Sequence, residues 1–224
     1  VPNIDLSRIN PQSPLHQFSK FVNTLSEEAD NKQIPQLKGL ALFSSMLLFH
    51  LLLDEEVKHE PERIFVERHP LIDTLVYARF YASKLHPDTV DTAILQELDQ
   101  QYETELGYLM YLADVEAGEQ GATAALLQFV YQAFHAEPIT NLAGLFCVDL
   151  PDEMYYLEAD PEILYSRLAE REIKEAHESV EVLQQLKIAY DEILTGLADD
   201  LPIHRINAND LSQLDALYVQ LANG

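Results

Sequence analysis

The residues in this sequence whose types and spacing suit chemistry are two groups of arginines, each next to a short apolar run. Ile64-Phe65-Val66 leads into Glu67-Arg68, with Arg63 just before it; Met154-Tyr155-Tyr156-Leu157 is followed at a distance by Arg167, Arg171 and Lys174. Guanidinium groups converging on one place hold phosphate or another oxyanion through paired, charge-assisted hydrogen bonds. In this chain they stand out, because 38 acidic residues outnumber 14 basic ones, for a net charge of −24. No Lys or Arg falls between Lys84 and Arg167. Such a balance counts against wrapping nucleic acid or docking on anionic lipid, both of which use basic patches. It leaves room for a small anionic substrate. Each group also has a plainer reading. Glu67-Arg68 can be a strand-end ion pair, and Arg167 and Arg171 lie i, i+4 on a helix with Glu170 and Glu172 between them, the pattern of a solvated face.

The elements that must position these residues follow from periodicity. The three prolines within residues 1–16 mark a loop. Phe18, Phe21, Val22 and Leu25 give residues 16–29 a helical face. The run from Leu37 to Leu53 is apolar all round and predicts a helix buried on nearly all sides rather than a membrane span, since Lys38, two serines and His50 interrupt it. Ile64-Phe65-Val66, Met154 to Leu157 and Ile203 to Ile206 read as three short buried strands of a parallel sheet. Helices are predicted over residues 73–85, 89–114, 122–136, 161–176, 179–197 and 211–222. Strands separated by helical runs imply α/β architecture, and the carboxyl ends of parallel strands share one edge, where ligands bind. At 224 residues the chain reads as a single domain.

Other features narrow the class. The single cysteine, Cys147, cannot form an intrachain disulfide and reads as a small buried residue, so a reducing, cytoplasmic compartment is expected. The eight histidines are scattered and no H-E-x-x-H occurs. Seven glycines are about half of ordinary usage, and none is followed by Lys. The sequence therefore contains no G-x-x-x-x-G-K-[ST] phosphate loop. Asp73, with Leu71 and Leu75 around it, suits a helix N-cap. The aromatic residues between Phe80 and Tyr111 read as core or interface.

Three segments carry a resemblance to a known family. They are Phe65-Val66-Glu67-Arg68-His69 with Asp73 five residues after Arg68; Pro151-Asp152 with Tyr156-Leu157-Glu158-Ala159-Asp160-Pro161-Glu162, Arg167-Leu168 and Arg171; and Leu186 to Leu194 followed by Ile203 to Asn209. Together they resemble the thymidylate kinase and deoxynucleoside kinase group of P-loop kinases, over rather less than half of the chain. The resemblance implies a three-layer P-loop kinase-like parallel sheet flanked by helices, with the first βα unit missing because the sequence is amino-terminally incomplete. It implies ATP-dependent phosphoryl transfer to a nucleoside or nucleoside monophosphate, with ATP and Mg²⁺ as cofactors. Glu67 and Arg68 would lie at the reacting end, and Asp73 would organise the acceptor pocket. Arg167 and Arg171 would be lid arginines in a lid at about 167–180, with Glu175 or Glu178 as the lid carboxylate. Asn207 to Asn209, including both asparagines, would border the adenine. The helical middle would serve a possible homodimer. No metal ligand can be placed, His69 stands where the family has Ser, and the residue acting as base has no counterpart. The alternative is a kinase-like relative that does no catalysis and acts as a binding or assembly subunit.

Overall fold

The computed structural model describes residues 4–60, 62–66, 69–81, 86–136, 139–169 and 179–223. Among them are ten α-helices and two β-strands. The chain divides into two compact units, Val1–Asp149 and Leu150–Gly224.

The first unit is helical. α1 (Pro14–Lys32) starts at Ser13, whose hydroxyl accepts the His16 amide at 3.1 Å, and carries Pro14 in its first turn. Its buried face is Phe18, Phe21, Val22, Leu25 and Ala29, the i, i+3, i+4, i+7, i+11 spacing of one helical stripe. It ends at Gln33, in the left-handed conformation at φ 55°.

α2 (Pro35–Val57) is the core of this unit. Leu37, Leu40, Ala41, Phe43, Met46, Leu47 and Leu48 are all buried. An all-round apolar surface can be buried only if neighbours stand on several sides. α2 accordingly packs against α1, α3 (Pro70–Tyr81), α5 (Glu103–Ala113), α6 (Ala122–Ala136) and α7 (Ile139–Phe146). Its two serines are satisfied within the helix, the Ser44 hydroxyl donating to the Leu40 carbonyl at 2.7 Å and that of Ser45 to the Leu42 carbonyl at 2.6 Å, while Lys38 pairs with Asp30 on α1 and His50 Nδ1 is buried without a partner. Residues 35–55 are long and apolar enough to cross a membrane by length and composition. In the first unit 56% of that stretch is buried, and residues 49–53 are half-buried. Phe43 meets the rings of Phe129 at 5.5 Å and Phe146 at 5.7 Å, both edge-on.

The single helix expected over 89–114 is two: α4 (Thr92–Gln101) and α5, parted at Tyr102 (φ −124°, ψ 33°). α6 begins where predicted, and its first turn is held by Asp99. The Asp99 carboxylate accepts from the Thr123 amide at 2.7 Å and the Thr123 hydroxyl at 2.6 Å. Gly121 (φ 97°) makes room for it, since a Cβ there would lie 1.9 Å from Asp99 Oδ2. Cys147, expected to be buried, is exposed. It stands just past α7 in the left-handed conformation (φ 52°), which closes the helix and turns the side chain outward.

The second unit holds both strands. β1 (Met154–Glu158) and β2 (Ile203–Asn207) run parallel, in register from Met154 opposite Ile203 to Glu158 opposite Asn207. α8 (Pro161–Ala169) and α9 (Val180–Leu197) lie between them in sequence, and α10 (Leu211–Asn223) follows β2 and packs on it. Leu194, Leu197 and Leu201 are buried, as are Ala159 and Ala208 just beyond the two strands.

The three-layer P-loop kinase-like sheet is therefore corrected. The described residues contain a two-stranded parallel sheet in a mostly helical protein. Ile64-Phe65-Val66, expected as a buried strand, forms no ladder and is exposed at 38%, 61% and 40%. The physical reason lies in the partners. A strand exists only when a neighbour takes its N–H and C=O groups, and the surrounding helices bury their faces on α2 instead of on a sheet.

Candidate functional site

The candidate site is the carboxyl edge of the parallel pair in the second unit, the edge at which parallel sheets bind ligands. β1 ends at Glu158 and passes through Ala159 and Asp160 into α8; β2 ends at Asn207 and passes through Ala208, Asn209 and Asp210 into α10. The two loops are tied together. The Ala208 amide donates to the Glu158 carbonyl at 2.8 Å, extending the ladder by one rung. Asn209 pairs with Asp160 twice: its Oδ1 accepts the Asp160 amide at 2.8 Å, and its Nδ2 donates to Asp160 Oδ2 at 3.0 Å. Asn207 Oδ1 accepts the Asn209 amide at 3.0 Å, an Asx turn that shapes the loop. Asp210 accepts the Ser212 amide at 2.9 Å and its hydroxyl at 2.7 Å, which starts α10. These bonds hold the Asp210 carboxyl below its ordinary range. Arg167, in the last turn of α8, donates from Nη1 to the Ala208 carbonyl at 2.9 Å.

Arg167, Asn207 and Asn209 thus come together at one edge, and each has a structural task there. Asn209 uses both ends of its amide on Asp160, and Arg167 fastens the loop after β2. Glu67, Arg68, Arg171, Glu175 and Glu178 lie outside the described residues, as does most of the expected lid.

Asp73 lies in the first unit. It is buried in the first turn of α3, where a carboxylate is favoured by the helix dipole. It is not the N-cap. That place belongs to His69, whose carbonyl accepts the Ile72 amide at 3.1 Å and the Asp73 amide at 2.9 Å. The His69 ring sits edge-on to Phe49 at 5.8 Å, and its Nδ1 is buried without a partner. Burial pushes the imidazole down to about 4, against a hydrogen bond with the Asp149 backbone that acts in the opposite direction.

The C-terminal unit holds a second arrangement, which no motif in the sequence marks. Glu158, Lys187, Asp191 and Arg205 form a closed ring of ion pairs. Lys187 pairs with Glu158 and, at 3.6 Å, with Asp191; Arg205 Nη1 meets Glu158 at 3.3 Å and Asp191 at 2.6 Å. The Arg205 guanidinium also lies 5.4 Å from the Tyr156 ring centroid, and Tyr156 stacks with Tyr190 at 5.6 Å. The hydrogen bond from Lys187 lowers the Glu158 pKa, and that to Asp191 raises Arg205. Burial, then the Asp191 charge, raises the Tyr156 phenol. Sequence spacing carries part of the signal and the strand register the rest. Lys187 and Asp191 are i, i+4 on α9, Tyr156 and Glu158 are i, i+2 on β1, and Arg205 stands opposite Tyr156 on β2. Arg167, Lys187 and Arg205, the described cations of this unit, therefore all engage acceptors within it.

The first unit also has an open groove of about 430 Å³ between α1 and the α4–α5 corner, lined by His16, Lys20, Tyr102 and Glu105 among others. It contains none of the predicted site residues. Among the described residues no three His, Cys, Asp or Glu side chains are grouped to hold a metal ion. The residues present do not make a complete ATP–Mg²⁺ site, because the sequence contains no phosphate loop with its Lys and hydroxyl ligand. Comparison of the chain with protein-family models, curated proteins and solved structures finds no match.

Proposed function

We propose that this chain acts in ATP-dependent phosphoryl transfer to a nucleoside or nucleoside monophosphate, in the manner of deoxynucleoside and thymidylate kinases. One observation carries the reading: the kinase-like segments place Asp160, Arg167, Asn207 and Asn209 at the carboxyl edge of a parallel strand pair. In this reading the loop after β2 borders the base, and Arg167 acts as a positioning residue for that loop. Glu67, Arg68 and Arg171 are the groups proposed to meet phosphate, Asp73 to serve the acceptor pocket, and Glu175 or Glu178 to order the lid. ATP and Mg²⁺ are the proposed cofactors, but no step is derived through them, because the phosphate loop is not among these 224 residues.

The test is titration of the folded protein with adenosine and with Mg-ATP, followed by backbone NMR. The reading expects saturable shifts concentrated at Asn207 to Asp210. Absence of any shift at millimolar nucleotide would overturn it.

A second reading has its own support. The missing phosphate loop and the commitment of Arg167 to the Ala208 carbonyl favour a binding or assembly subunit without catalysis. The proposed homodimer through the helical middle belongs here. Tyr111 on α5 is 80% exposed and stacks with Tyr108 at 6.5 Å, an arrangement suited to a contact surface. Light scattering of the intact protein and of Tyr111→Glu decides the point. A dimer that the substitution dissociates supports it, and a monomeric parent protein refutes it.

A further inference from the structure

We draw no further inference here: the strongest candidate, the apolar face that Leu211 and Tyr218, i and i+7 on α10, leave exposed in the C-terminal unit, is an unpartnered face, and nothing in the structure shows what covers it.

Discussion

Asn209 and Asp160 are joined by two hydrogen bonds of opposite sense, the Asp160 amide donating to Asn209 Oδ1 at 2.8 Å and Asn209 Nδ2 donating to Asp160 Oδ2 at 3.0 Å. Asn carries both a donor and an acceptor on one planar group, and this pairing uses both. Asn209→Asp removes the donor and sets a second carboxylate against Asp160. Asn209→Ala removes both bonds. Each is expected to destabilise the C-terminal unit by about 1–2 kcal/mol, with Asp the worse near neutral pH. Urea denaturation followed by circular dichroism measures the loss. If the two variants match the parent protein, the pair does not hold the loops together.

The Asp99–Gly121 contact predicts an asymmetric mutant cycle. Gly121→Ala meets both an unfavourable φ of 97° and the Asp99 carboxylate, and is expected to cost about 2–3 kcal/mol. Asp99→Ala loses the two bonds to Thr123 and is expected to cost about 1–2 kcal/mol. The double variant should cost clearly less than the sum, since removing Asp99 relieves the clash. Additive losses in thermal or urea unfolding would show that the clash is not the cause.

His69 links stability to acid. Its pKa is about 4 in the fold and 6.5 when unperturbed, so the unfolded chain takes up a proton that the folded chain refuses. Above pH 6.5 the contribution is fully present; it declines as pH falls from 6.5 towards 4, and below that no more is lost. Because the ring is only partly buried, the decline is expected to be about 1–2 kcal/mol. His69→Gln should flatten the pH dependence of the urea midpoint across that window. A slope unchanged by the substitution would assign the acid sensitivity to other groups.

Arg205→Met opens the ring of ion pairs. Exposed pairs contribute little, so the expected loss is about 0.5–1 kcal/mol, shrinking as salt is added. The Tyr156 phenol is the sharper reporter. Arg205 lowers its pKa while burial and Asp191 raise it, so the variant should titrate at still higher pH. Ultraviolet titration of the phenol reads the shift, and a downward movement would contradict the assignment.

Local patterns were legible where local forces decide. The helix over 122–136, the strands beginning at Met154 and Ile203, and the helix ending at Leu197 lie where spacing and punctuation place them. Ile64-Phe65-Val66 misled, because β-branched and aromatic residues mark a willingness to pair and say nothing of whether a partner stands beside them. The break at Tyr102 has no Gly or Pro to announce it. Its phenol reaches Glu28 on α1 at 3.1 Å, a contact between residues far apart in sequence. At the candidate site, Arg167 is legible near the strand edge because a strand end and the helix after it are local features, whereas Asn207 and Asn209 are named only through the kinase resemblance. The ring of Glu158, Lys187, Asp191 and Arg205 spans three elements, so it became visible only with the strand register.

The apolar surface of α2 has a consequence for how the chain is made. Its partners α1 and α3 adjoin it in sequence, but α5, α6 and α7 are synthesised later, and Phe146 is the last of the rings that close around Phe43. Until α7 has emerged from the ribosome, a helix with no polar face waits with part of its surface in water. Exposed apolar surface of that kind is what makes a partly folded chain prone to aggregate, so a truncation ending before α7 is expected to be less soluble than the full chain, as centrifugation of the two would show.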